Sequence, residues 1–149
     1  MKSIKKILFP IDLIENLEPL LPWVTLMVNK FEANLCVLFV TQDLGHFSSF
    51  YIPHTNIQEF QEEALKGAQE KMRGVAQEYF KGFPRLETRV EMGDPSTKIL
   101  EVAEKEGFDL IIMGSHGRRG IERTIFGSVC ARVLRDAPCP VLTIRPEKA

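Results

Sequence analysis

The residues best placed to do chemistry lie between Asp109 and Val129. Glycines stand there at 114, 117 and 120, arginines at 118 and 119, and a Gly127-Ser128 step follows. The segment opens with an apolar run, Leu110-Ile111-Ile112-Met113, the pattern of a strand buried on both faces. From Ile125 and Phe126 onward, Val129, Cys130, Val133 and Leu134 recur at helical spacing. A strand, a glycine-rich loop and a helix with Gly-Ser in its first turn present outward-pointing backbone N–H groups. That is the chemistry of an anion site, most simply a phosphate site. Arg118, with Arg119 beside it, is the side chain placed to pair with phosphate oxygens, although solvated charge is the usual fate of surface arginines. Three glycines could also serve a tight turn with nothing bound, and Ser128 could be a helix-cap hydroxyl. The full spacing favours phosphate. His116 has no acidic or cysteine partner close in sequence, so it reads as a loop hydrogen-bonding group.

Elements must position these residues, and the order of apolar patterns along the chain supplies them. Ile4 to Ile11 is an apolar run closed by Pro10 and Asp12, a first strand. Leu17, Leu20, Leu21, Val24, Met27, Val28 and Phe31 follow at helical steps, and the prolines at 19 and 22 put the regular helix from about Pro22. Leu35 to Val40 is a second strand without alternation. A long irregular stretch, Thr41 to Thr55, contains Phe47, Phe50, Tyr51, His46 and His54. Loops of that length often form lids or contact surfaces. Asn56 and Glu59 suit a capping box for a helix carrying Ile57, Phe60, Ala64, Ala68, Met72, Val75 and Tyr79.

Leu86 to Met92 alternates apolar and polar residues, which marks a strand at or near a sheet edge. Asp94 and Pro95 suit the cap and first position of a helix that Gly107 ends. Val141 to Ile144 is the last strand. The alternation predicts an α/β fold: one domain over residues 1–149, with an open five-stranded parallel sheet and helices on both faces. Of the two common orders, 3-2-1-4-5 suits the alternating third strand better than 2-1-3-4-5. Strands one and four are then neighbours at the switch point, and their ends, Ile11-Asp12 and Met113-Gly114, face the ligand crevice. Asp12 suits either a turn and helix cap or a ligand contact.

Several function classes are excluded. No G-x-x-x-x-G-K-[ST] loop is present, and the first strand runs into Pro-Ile-Asp instead of G-x-G-x-x-G. Neither H-E-x-x-H nor G-x-S-x-G occurs. His46 and His54 lack a third ligand at a suitable spacing, so no metal site is expected. The formal charge of −1 argues against a nucleic-acid surface. Cys36, Cys130 and Cys139 form no C-x-x-C pair and read as small buried hydrophobes in a reducing compartment. The apolar run after Met1-Lys2-Ser3-Ile4-Lys5-Lys6 stops at Pro10, too short for a secretory signal or a membrane span. The expectation is a soluble cytoplasmic protein.

The spacing Gly114-x-x-Gly117-(nine residues)-Gly127-Ser128 resembles the universal stress protein family, in its ATP-binding branch. The resemblance spans nearly the whole chain. It includes the opening strand ending in Asp12, the turn with Gly93 and Pro95, the run Asp109 to Gly117, and Ala137-Pro138-Cys139-Pro140-Val141-Leu142. It implies that Ile11 and Asp12 meet the ribose, while Val40 and Met113 stand at the adenine pocket. Gly114, Ser115, His116 and Gly117, with Arg118, Arg119 and Gly120, would form the loop around ribose and phosphates. Gly127, Ser128 and Val129 would donate to the phosphates. One departure is that Leu13-Ile14 follow Asp12, where the family usually carries a small pair such as Gly-Ser.

The implied ligand is ATP or another adenine nucleotide, with magnesium or manganese accompanying its phosphates, used as a regulatory or stress-response switch. The alternatives are a slow ATPase on the same site and a dimeric stress protein that binds no nucleotide. No positioned general base is legible in the sequence, which weighs against fast hydrolysis. Homodimerisation through the last strand is expected, because exposed sheet edges seek pairing. A protein partner is expected without being identifiable; nucleic acid and membrane are not.

Overall fold

Strands and helices alternate along the computed structural model, which describes residues 2–13, 15–42, 57–115 and 125–145. The strands are β1 (Lys6–Pro10), β2 (Asn34–Thr41), β3 (Leu86–Met92), β4 (Leu110–Gly114) and β5 (Val141–Ile144). They form one sheet in the order β3-β2-β1-β4-β5, with every pairing parallel, as the sequence predicts. The helices are α1 (Leu21–Phe31), α2 (Ile57–Tyr79), α3 (Pro95–Lys105) and α4 (Ile125–Asp136). The expected capping box at Asn56, and His46, Phe47, Phe50, Tyr51 and His54, lie outside the described residues.

Register explains why the central strands lack alternation. Ile7 stands opposite Leu35 of β2 and Leu110 of β4, and Leu8 opposite Cys36 and Ile111. Successive side chains point to opposite faces, and each face has its own core. On one side Ile7, Phe9, Val37 and Ile112 pack with Val24 and Val28 of α1 and Met72 of α2. On the other, Leu8, Leu38, Ile111 and Met113 pack with Ile99 and Val102 of α3 and Val129 and Val133 of α4. Both faces are covered, so both sets must be apolar.

β3 is an edge strand, and its alternation has a specific cause. Leu86 and Val90 join the core under α1 and α2. Arg89, on the other face, pairs with Glu106 just after α3 and with Glu91 at 3.2 Å. The helix ends follow the sequence signals. Pro22 sits in the first turn of α1, and Asp94 caps α3 by accepting from the Thr97 N–H at 3.0 Å. Gly107 leaves α3 at φ 65°, the left-handed conformation that glycine adopts without steric cost.

One apolar pattern is only half used. In α2, Ala68 and Met72 are buried, but Phe60 is 53% exposed. A 23-residue helix is about 34 Å long at 1.5 Å per residue, whereas seven-residue β3 spans about 23 Å. The helix is therefore about 11 Å longer than that strand.

Candidate functional site

The connections reverse between β1 and β4. The helix following β1 packs on one face of the sheet and the helix following β4 on the other. Diverging connections leave a crevice outside the carboxyl ends of the two strands. On the β1 side, the Ile11 N–H donates to the Leu38 carbonyl at 2.8 Å, continuing the pairing beyond Pro10. The chain then turns, and the Glu15 N–H donates to the Asp12 carbonyl at 3.0 Å. On the β4 side, Gly114 closes the strand and the Ser115 N–H donates to the Ile144 carbonyl at 2.8 Å.

Gly114 has a structural reason to be glycine. A Cβ there would stand 3.1 Å from Leu20 Cδ1 and 3.2 Å from Glu15 Oε2. Its φ is not positive, so the requirement is space, not backbone conformation. Glu15, which sequence reasoning did not single out, thus reaches across to the end of β4. Its Oε1 is shielded from solvent and has no hydrogen-bond partner among the described residues. Burial pushes this carboxyl up to about 8; a hydrogen bond from the Asp12 backbone opposes the rise, and the Asp12 charge adds to it. The available sequence signal was a lone acid among Leu13, Ile14 and Leu17, three residues after Asp12. It resembles any charge in a turn.

The other sequence-predicted residues are distributed unevenly. Val40, Met113 and Val129 belong to one core cluster under α3 and α4, and Met113 is fully buried. Asp12 is half-buried at the crevice. Gly127 is half-buried and Ser128 exposed near the start of α4, where the helix dipole favours negative charge. His116, Gly117, Arg118, Arg119 and Gly120 lie outside the described residues. Arg132, one turn beyond Ser128, donates to Ser96 Oγ and Thr97 Oγ1 at 2.8 Å each, and to Asp94 Oδ2 at 3.3 Å. It pins α4 to the start of α3. Among the described residues, no group of three or more His, Cys, Asp or Glu could hold a metal ion.

Residues 3–145 match the model of the universal stress protein family. The chain belongs to that family. A universal stress protein of Methanocaldococcus jannaschii, MJ0531, is 33% identical over 82% of this chain and 71% of its own length. Among solved structures, MJ0577 superposes with a TM-score of 0.81 at 27% identity, covering 99% of this chain and all of the other. A universal stress protein in complex with cAMP (21% identical, TM-score 0.55, 96% of this chain and 98% of its own) shares the fold. So does an Arabidopsis thaliana member with AMP bound (17% identical, TM-score 0.63, 96% and 92%).

The amino end of the sheet in this universal stress protein is built differently. A shallow cavity of about 340 Å³ opens there, lined by Lys6, Cys36, Arg85, Glu87 and Phe108 among others. Lys6 Nζ donates to the Glu106 carbonyl and lies 4.6 Å from the centre of the Phe108 ring. Burial pushes the Cys36 thiol up to about 12, so it stays a neutral, inert thiol. No helix among the described residues is long and apolar enough to cross a membrane.

Proposed function

We propose that this universal stress protein binds ATP, or another adenine nucleotide, at the carboxyl ends of β1 and β4. Occupancy of the site would act as a regulatory switch in the cytoplasm. The observation that carries this reading is topological. The sheet order sets the end of β1, with Ile11 and Asp12, beside Gly114 of β4, and α4 starts from the same end with Gly127 and Ser128. The residues fit such a ligand: a helix start for phosphate, and a crevice at a switch point for the sugar and base. The AMP and cAMP complexes of more distant relatives supply the ligand class. ATP would bring magnesium or manganese on its phosphates.

The test is mass analysis of what denaturation releases from protein purified from cells, together with Gly127→Asp. That carboxylate would stand where phosphate is held, and retention of nucleotide should fall by roughly 100-fold or more with the fold intact. Equal thermal stabilisation of both proteins by ATP would sink the site. Pairing of two copies through β5 is part of the proposal, because among the described residues β5 is hydrogen-bonded only to β4 and ends the sheet. A single monomeric species in sedimentation at high micromolar concentration would overturn it.

A further inference from the structure

We infer that Glu15 is a proton-dependent latch on the nucleotide site: protonated, it holds the turn after β1 against the end of β4, and on losing its proton to solvent it lets go and the site releases its nucleotide. The inference rests on the nucleotide reading above. Three observations carry it.

The first is what Glu15 joins. Its N–H donates to the Asp12 carbonyl at 3.0 Å, and its carboxyl accepts from the Asp12 backbone, so both ends of the residue close the turn after β1. The carboxyl also stands against the last residue of β4, where a Cβ on Gly114 would lie 3.2 Å from Glu15 Oε2. One side chain thus ties together the two strand ends that frame the crevice. The second is enclosure. Oε1 is shielded from solvent and has no hydrogen-bond partner among the described residues. A neutral carboxyl tolerates such surroundings, whereas an ionised one is strongly disfavoured there and gains by moving into water. The third is the charge around it. Among the described residues, the charge that acts on Glu15 is that of Asp12, from its own turn; Leu20 before α1 and Gly114 of β4 bring none. Asp12 disfavours the ionised form further.

Loss of the proton therefore has one outlet. The carboxyl leaves its place, the turn from Asp12 to Glu15 parts from Gly114, and the crevice loses the fit between its two walls. The freed carboxylate also adds negative charge beside a polyanionic ligand. The coupling is reciprocal, so bound nucleotide makes the proton harder to remove. With the carboxyl titrating at about 8, about nine-tenths of the free molecules are latched at pH 7 and about one-tenth at pH 9.

The test is calorimetric titration of wild type and Glu15→Gln with ATP at pH 7 and pH 9. Wild type should bind about 10-fold more weakly at pH 9, following the latched fraction. Glu15→Gln has the same shape and no proton to lose, so its two affinities should agree within about 2-fold. The variant also accounts for the titration of ATP and of every other group. Equal wild-type affinity at the two pH values overturns the inference, and so does the same loss in Glu15→Gln. Far-UV circular dichroism should be unchanged at pH 9; global unfolding there overturns a local latch. Infrared spectroscopy of wild type without nucleotide needs no variant: the band of a protonated carboxylic acid should be present at pH 7 and lost by pH 9. Its absence at pH 7 overturns the inference. If wild type binds no ATP at either pH, the nucleotide reading falls as well; binding that ignores pH sinks the latch alone.

Discussion

Asp109 and Glu15 are carboxylates set against opposite ends of the same sheet. Asp109, just before β4, accepts from the Lys5 and Lys6 backbone N–H groups at 2.9 and 3.0 Å, tying the start of β1 to β4. Glu15, just after β1, reaches the other end of β4 and keeps one oxygen without a partner among the described residues. Both groups bridge the same two strands. Asp109 satisfies two backbone donors at an exposed strand end, whereas Glu15 takes a hydrogen bond from the Asp12 backbone but carries a burial cost larger than that bond offsets. A perturbed carboxyl at the ligand end of an α/β sheet is where function is expected to outweigh stability.

The largest test of this contrast is Glu15→Gln. A carboxyl raised from 4.5 to about 8 in the folded protein must hold its proton while the unfolded chain releases it. Stability is unaffected below about pH 4.5, falls as pH rises through the window to 8, and then levels off. Glu15→Gln removes the titration. It should therefore stabilise the protein by up to about 5 kcal/mol at pH 9, since each tenfold difference in proton affinity between the folded and unfolded chains is worth roughly 1.4 kcal/mol. At pH 5 the gain should be less than about 1 kcal/mol. Denaturant unfolding across that range checks it; a gap independent of pH would show that Glu15 is not held neutral.

Asp109→Ala should act in the opposite sense. Removing the acceptor of two backbone amides should destabilise the protein by about 2 kcal/mol, lowering the denaturation midpoint without altering nucleotide affinity. A change in affinity with no change in midpoint would dissolve the distinction between the two ends.

Asp94 gives the smallest effect and the sharpest contrast in sign. Its carboxyl is held below the usual range, chiefly by the Thr97 backbone N–H and then by the Thr97 hydroxyl. The stability it contributes is present above the ordinary carboxylate range and fades as pH falls through its folded value, the reverse of Glu15. Asp94→Ala should cost about 1 kcal/mol at neutral pH, the usual worth of a helix cap. Asp94→Asn, which can still accept, should recover most of it and lose the acid dependence. Thermal unfolding at pH 3 and pH 7 separates the two.

Much of the fold was legible because its signals are local. Unbroken apolar runs marked β2 and β4 as covered on both faces, and the Leu86–Met92 alternation marked an edge. Pro22, Asp94-Pro95 and Gly107 marked helix ends by their own backbone chemistry. The site was legible only in part. Gly114 could be read as a loop glycine by spacing, but its nearest constraints are Leu20 and Glu15, roughly 95 residues earlier in the chain. Phe60 fitted the apolar series of α2 yet lies exposed, because periodicity records which face a residue occupies and not whether a strand lies beneath it.

Element order, fold class and family follow from the chain read alone, because periodicity, caps and the glycine spacing are properties of neighbouring residues. That Glu15 matters emerges only on folding. An acid in a turn is ordinarily solvated, and its cost arises when distant segments close over it. Here the end of β4 stands against the Glu15 carboxyl, and its other oxygen is shielded from solvent with no hydrogen-bond partner among the described residues.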